Sequence, residues 1–335
     1  LKLVGAAIAG YFGVKAFAGA VSSAADFEEA MSKVQAATKA GADEMAKLQA
    51  AAENAGANSK FTAVEAANAL ENLAKAGLSS TEAIAALTPV MSMAQADGIG
   101  LADASERLTG VVMGMGLSFS ESARVADVLA AGSAAARTSI AGLAEGLSYA
   151  APIANSMGLS LESTVAIMAQ FSNAGIDASR AGTALNSILS QFADPASKFR
   201  TELSALGINT NNFDSALKQL AATGGRSAAA ILSVGTEAGP ALRAALNLGI
   251  PALEKLRGEL YGAEGAAAAM AKAMGNNLNG AINGLSSAWD AAKIVLGTPV
   301  LPVLKDGVDK LAAAFRDAVA DGTIQKFGEA IAAAF

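Results

Sequence analysis

The sequence predicts an all-α fold, and three observations indicate it. Ala, the residue with the highest helix propensity, makes up about a quarter of the 335 residues. Aromatic residues, which strands favour, amount to only 5%. A repeated helix-ending turn divides the middle of the chain into short segments. We therefore expect stacked short antiparallel helical hairpins, with less regular apolar helices at both ends and a helix content above about two-thirds, against a typical one-third.

The first predicted unit, residues 1–25, is an apolar helix. Residues 3–25 carry one charge and are numerous enough to cross a bilayer core. Small residues spaced four apart in the same stretch suit close packing between helices. Two interpretations stay open, a membrane-active helix or a helix buried in an oligomer. The residues on which this choice depends are Gly5, Gly10, Lys15 and Gly19.

The second predicted unit, residues 26–212, is defined by a recurring three-residue turn. Its Gly takes the left-handed position after a helix, and its apolar residue packs against the adjoining turns. Its third residue, Ser, Asp or Asn, caps the next helix. The turn occurs in full or as a variant at Gly77-Leu78-Ser79, Gly116-Leu117-Ser118, Gly158-Leu159-Ser160, Gly175-Ile176-Asp177 and Gly207-Ile208-Asn209.

Further helix starts lie between these turns. Capping boxes are expected where Thr62, Ser79 and Ser118 are each followed three residues later by Glu. Asp194 before Pro195 predicts another start, with Asp as the cap and Pro at the first helical position. Starts at intervals of roughly 20 residues correspond to ordinary short globular helices, and tight turns between such helices produce antiparallel hairpins.

The third predicted unit, residues 213–335, is an irregular, Ala- and Gly-rich helical region. Its uncharged segment 294–304 contains Pro299 and Pro302, so it is too short and too broken to span a bilayer alone. Apolar residues at helical spacing then predict a last amphipathic helix. They are Leu304, Val308, Leu311 and Phe315.

The composition excludes many kinds of chemistry. The chain has no His and no Cys, which removes thiol catalysis, Ser–His dyads and the common zinc sites. It has no phosphate-binding glycine loop, and its net charge of −6 disfavours nucleic acid as a ligand. We therefore expect no enzyme, no cofactor, no metal and no specific nucleic-acid binding.

The surface is expected to be covered by something else. Only 16% of the residues are charged, against roughly 25% in ordinary soluble domains, and the mean hydropathy is +0.39. The chain therefore hides apolar surface in an assembly or a membrane. It opens at Leu1 instead of Met, and we expect it to be part of a longer polypeptide.

A set of short motifs occurs in a fixed order between residues 25 and 210. They are ADFEEAMSKV at 25–34, KFTAVEAA at 60–67, LAKAGLS at 73–79, ADVLA at 126–130, YAAPIA at 149–154, GLSLE at 158–162, NAGID at 173–177 and AGTAL at 181–185. Together they resemble the conserved core of bacteriophage tail tape measure proteins. The residues after about 275 also resemble the apolar region that follows this core.

The resemblance implies a structural virion protein that lies inside the tail tube or at the tail tip. It implies that the protein scaffolds tail assembly and length, and leaves ahead of the DNA to help the genome cross the host envelope. The partners implied are further copies of itself (three favoured, six as the alternative), tail tube and tail-tip or baseplate hub proteins, and the host membrane after release. Two other classes stay open: a membrane-inserting helical pore-forming protein and a generic helical oligomeric binding module.

One feature departs from the family pattern. A measuring stretch should be a long uninterrupted helix that rises 1.5 Å per residue, whereas this chain is interrupted roughly every 20 residues. We therefore expect a compact domain instead of the ruler itself.

Overall fold

The computed structural model describes residues 2–321, 323–326 and 329; the side chains of residues 2–16 and of Phe315 are not described. The described residues are 83% helical and contain no strand, so the predicted all-α class is confirmed. The α-helices of the described residues are α1 Lys2–Thr38, α2 Ala42–Asn58, α3 Ala63–Lys75, α4 Ser80–Asp97, α5 Leu101–Gly114, α6 Ser122–Ala135, α7 Ile140–Ser156, α8 Leu161–Asn173, α9 Ala178–Ala193, α10 Lys198–Ala205, α11 Phe213–Ala222, α12 Ala228–Ser233, α13 Ala238–Leu248, α14 Ile250–Tyr261, α15 Ala266–Gly275, α16 Leu278–Gly297 and α17 Leu301–Ala320. Single 3-10 turns lie at Phe119–Glu121, Gly224–Ser227 and Thr298–Val300.

Helix α8 lies at the centre of the fold. Every residue from Leu161 to Ser172 is buried, because α6, α7, α9, α13 and α14 all pack against it. A helix that is covered on all sides must also satisfy its polar side chains. Gln170 does so by donating its Nε2 hydrogens to the carbonyl oxygens of Ala245 (2.9 Å) and Gly249 (3.1 Å) at the end of α13. This central helix therefore joins the two halves of the chain.

Helices α7 and α9 cross in direct backbone contact. A Cβ atom added to Gly182 would overlap the carbonyl oxygen of Gly146, and one added to Gly146 would overlap the carbonyl oxygen of Ala178. Only glycine fits at such a crossing, because every other residue carries a Cβ. The close approach places α7 and α9 side by side, and both helices also contact α8.

Hydrogen bonds between distant turns define the ends of the helix bundle. The Asp97 carboxylate, at the end of α4, accepts from the backbone N–H groups of Ile140 (3.0 Å) and Ala141 (2.8 Å) at the start of α7. Asn173 Nδ2, at the end of α8, donates to the carbonyl oxygen of Ala135 at the end of α6 (3.0 Å). Successive helices from α4 to α9 contact one another, while a regular stack of hairpins stays a prediction.

Both terminal regions pack against this body. Helix α1 runs unbroken across residue 25, and its buried Ala24 and Phe27 lie on the half that contacts α3 and α16. The region after residue 213 consists of α11 to α17, and α15 packs on α4 and α6. The Asp127 carboxylate caps α15 by accepting from the backbone N–H groups of Gly265 and Ala267, both at 2.9 Å. The predicted boundaries at residues 25 and 212 stay predictions.

The helix start predicted at Asp194 is wrong. Helix α10 begins at Lys198, and its cap is Ser197, whose Oγ accepts from the backbone N–H of Arg200 (3.0 Å). The Asp194 carboxylate instead accepts from the backbone N–H of Ala196 (2.9 Å), two residues ahead. Such an Asx turn competes with helix initiation, and here it delays the helix by three residues.

Candidate functional site

The predicted left-handed glycines have the expected backbone conformation. The φ angles of Gly77, Gly116, Gly158, Gly175 and Gly207 are 97°, 63°, 71°, 88° and 81°. At Gly77 the turn is closed by backbone hydrogen bonds from Gly77 to Ala74 (2.9 Å) and from Leu78 to Leu73 (3.2 Å), the pattern of a Schellman motif. The prediction of positive φ is therefore confirmed.

The capping residues also accept the hydrogen bonds that free helix N–H groups require. Ser79 Oγ accepts from the backbone N–H of Glu82 (3.3 Å), Ser160 Oγ from Ser163 (3.1 Å) and Asp177 Oδ1 from Ser179 (3.0 Å). The capping boxes that begin at Thr62, Ser79 and Ser118 are present. Ser118 opens a 3-10 turn, and α6 begins only at Ser122.

Asn209 does not cap a helix, contrary to the prediction. Arg200 holds the segment after Gly207 by donating to the Thr210 carbonyl oxygen and to Asn211 Oδ1, both at 2.8 Å. The chain therefore stays non-helical until α11, whose cap is Asn212 through a 2.8 Å hydrogen bond from the Ser215 N–H. The Asn209 side chain is itself engaged, since its Oδ1 accepts from Ser204 Oγ (2.7 Å).

Our first prediction concerns the loss of stability when a left-handed turn glycine is replaced by a residue that carries a Cβ atom. Replacing Gly158 by Ala should lower the free energy of unfolding by about 1 kcal/mol, because a Cβ is unfavourable at positive φ. No other atom lies within 4 Å of the added Cβ, so the loss comes from the backbone alone. Urea denaturation followed by circular dichroism measures it. Gly158→Asn is the matched control and should cost less, since Asn tolerates this conformation better; equal stability of wild type and Gly158→Ala would contradict the prediction.

Two of the predicted turns meet at one end of α8. A Cβ on Gly116 would lie 2.5 Å from Asn155 Nδ2, just before the turn at Gly158. Arg124 then bridges the two following helix starts, donating to Glu121 (2.7 Å) and to the buried Glu162. The turn at Gly175 and Asp177 follows the opposite end of α8. The cap residues are therefore distributed over the body and do not converge on one site.

The arginine bridge borders a cleft of about 630 Å³. Its polar lining side chains are Ser120, Glu121, Arg124, Asp127, Glu162, Tyr261 and Glu264. The hydrogen bond from Arg124 lowers the pKa of Glu121 below its ordinary value. Arg124 pairs with both glutamates, Asp127 caps α15, and Tyr261 Oη lies 3.0 Å from Ser160 Oγ. Arg124, Asp127 and Tyr261 thus each link neighbouring segments of the fold, which is the arrangement of a structural junction between helices.

Within the described part of the chain, no group of three or more acidic residues is placed to hold a metal ion. Over that part, too, no helix has the length and apolarity that crossing a membrane requires. Gly5, Gly10 and Lys15 lie outside the residues whose side chains are described. Gly19 is half-buried, and a Cβ added there would meet no atom within 4 Å.

One surface feature was missed by the sequence analysis. Helix α16 exposes a row of large apolar side chains at alternating spacings of four, three, four and seven residues. These residues, here called the apolar seam, are Leu278, Ile282, Leu285, Trp289 and Leu296. The spacing is visible in the sequence, but this region was interpreted only as irregular, Ala- and Gly-rich helix.

Known proteins resemble most of this chain. A family model described as phage-related minor tail protein matches residues 49–230. The tape measure protein of Pneumococcus phage Dp-1 is 32% identical over 292 residues, which cover 83% of this chain and 25% of that protein. The probable tape measure protein of Escherichia phage P2 is 30% identical over 324 residues, or 90% of this chain and 39% of that protein. The chain thus spans well under half the length of these curated relatives. No solved structure matches it.

Proposed function

We propose that this chain, which belongs to the phage-related minor tail proteins and is similar over most of its length to two phage tape measure proteins, forms a compact domain through which a tape measure protein scaffolds tail assembly. The observation that carries the proposal is the position of the family match. Residues 49–230 include the whole of α3 to α11, and therefore the buried helix α8 together with α6, α7 and α9, three of the helices that pack on it. The family features thus coincide with a packed body.

The domain contributes to length control without being the measuring stretch. The longest helix between α3 and α11 is α4, with 18 residues, which at 1.5 Å per residue is about 27 Å long. Because short helices follow one another with turns between them, this part of the chain gains little length per residue along any one direction. A long ruler would need helix that continues in one direction, so the measuring length belongs to other parts of the full protein.

The protein is placed in the virion, inside the tail tube or at the tail tip. Its partners there are tail tube proteins, tail-tip or baseplate hub proteins and further copies of itself, three in preference to six. The low proportion of charged residues, 16%, suits a chain enclosed by other proteins. On infection the protein leaves ahead of the DNA and helps the genome pass the host envelope, where residues 3–25 contact the membrane.

The composition of tails before and after DNA release tests this placement. Peptides from residues 1–335 should be abundant in purified tails, lost from tails that have released their DNA, and recovered with host membranes after infection. Tail tube protein, which stays with the particle, is the control for recovery. Absence of the peptides from intact tails would contradict the proposed location, and retention after release would contradict the role in genome passage.

A further inference from the structure

The cleft beside the arginine bridge carries more negative charge than the bridge neutralises. It lies between α6, the start of α8 and the loop that joins α14 to α15. Its lining includes four carboxylates and one cationic side chain, Arg124, so three negative charges stay uncompensated within it. Low-dielectric walls concentrate the field of such charges, and the cleft therefore attracts cations. The four carboxylates are those of Glu121, Asp127, Glu162 and Glu264.

One of these carboxylates is buried and only half used. The Glu162 side chain is 4% exposed, and its Oε1 accepts from Arg124. Its Oε2 has no hydrogen-bond partner among the described residues, although a buried carboxylate oxygen without a partner is costly. The described side-chain atoms that are both sealed from solvent and unpaired are Ser172 Oγ and Arg257 Nε. Glu162 Oε2 is therefore not sealed, and since Glu162 lines the cleft, this oxygen is an open acceptor in the cleft wall.

The other groups of the cleft indicate the kind of cation. Over the described residues no three acidic side chains lie close enough to share a metal ion, so the negative charge suits a larger cation with several donors. Ala123, Val128 and Leu260 line the cleft with apolar surface, against which a hydrocarbon stem can pack. The Tyr261 ring also lines it and is 62% exposed, and a guanidinium stacks favourably on such a ring. An arginine side chain meets all of these requirements.

We propose that the cleft binds an arginine side chain presented by another polypeptide. Its guanidinium donates to Glu162 Oε2 and to the exposed Glu264 carboxylate, since its five N–H groups can reach two acceptors at once. A single buried acceptor suits one cation on a stem, whereas a free polyamine carries cations at intervals along its length. The proposal names a site that the scaffold role does not require, and it holds or fails on the purified chain without tails.

Tyr261 reports whether the cleft is occupied. The chain contains three tyrosines, so fluorine NMR of the purified, fluorotyrosine-labelled chain is simple, and Tyr261→Phe identifies the resonance of the cleft. The probe is Nα-acetyl-arginine amide, and the neutral Nα-acetyl-citrulline amide is its control. The Tyr261 resonance should shift saturably with the arginine probe alone, while Tyr149, 46% exposed and outside the cleft lining, should respond to neither. No shift at Tyr261, or equal shifts with both ligands, would overturn the proposal.

Removing carboxylate charge from the cleft provides the second test. Glu162→Gln keeps an acceptor for Arg124 but loses the anion, so the dissociation constant of the arginine probe should rise at least about 10-fold, the effect of one charge-assisted hydrogen bond. Glu264→Gln, at an exposed position, should raise it about threefold. Glu145→Gln makes the same charge change on the exposed surface of α7, outside the lining, and should leave it unchanged.

Thermal unfolding shows whether each variant is folded. If Glu162→Gln does not fold, Glu264→Gln decides alone. Binding that is unchanged in the folded cleft variants, or weakened equally in Glu145→Gln, contradicts the assignment of the site.

A free polyamine is the competing source of positive charge. Spermidine carries more charges than the arginine probe but has no guanidinium plane to stack on Tyr261. At equal ionic strength, which fixes the screening, the arginine probe should bind more tightly than spermidine. Tighter binding of spermidine would assign the cleft to a free polyamine and overturn the proposal.

Discussion

Replacing Gly182 by Leu is expected to lower the free energy of unfolding by about 3 kcal/mol or more, the upper range for overpacked cores. The backbones of α7 and α9 touch at this point, and even a Cβ atom would overlap the Gly146 carbonyl oxygen. No rotamer of Leu avoids that overlap, so the helices must separate. Separation would also disturb their packing on α8.

A second helical glycine provides the control for this variant. Gly110 lies within α5, is exposed, and has no atom within 4 Å of an added Cβ. Gly110→Ala should therefore raise stability by about 0.5–1 kcal/mol, because Ala has the higher helix propensity. Urea midpoints followed by circular dichroism compare the two variants. A midpoint for Gly182→Leu at or above that of the wild type would contradict the described crossing.

The local part of the fold was predictable from the sequence. A left-handed Gly, an apolar residue and a capping Ser or Asp act within about six residues of one another, so their preferences can be found without knowing the tertiary structure. The turns at Gly77, Gly116 and Gly158 are examples, and their φ angles agree with the prediction. The all-α class follows from the same local preferences.

The failures occur where competing hydrogen bonds within or near the turn decide the outcome. Asn209 has the right chemistry for a cap, but Arg200 holds the next residues and moves the helix start to Asn212. Asp194 accepts a hydrogen bond within its own turn, and the cap passes to Ser197. In both segments several residues are capable of capping, and sequence spacing alone does not choose among them.

The backbone contacts at Gly182 and Gly297 could not be predicted from any local sequence pattern. Gly182 lies within an amphipathic helix, where a glycine is ordinarily only a slight weakness. Its role becomes visible only when α7 is known to cross α9. Similarly, the side of α16 that faces solvent depends on Gly297 meeting Ala20 in α1, almost 280 residues earlier in the chain.

Loss of the gene should have the largest effect of all. Under the proposed scaffold role a tail cannot form without this protein, so phage lacking this gene should assemble no tails or tails of irregular length. A plasmid copy of the wild-type gene should restore them, as should the Gly110→Ala copy. The Gly182→Leu copy should fail, because the scaffold role depends on the folded body around α8.

Electron microscopy of tails from these four strains tests the assembly role most directly. The account predicts absent or misassembled tails for the deletion and for Gly182→Leu, and tails of normal length and number for the two complemented controls. Normal tails in the strain that lacks the gene would contradict it.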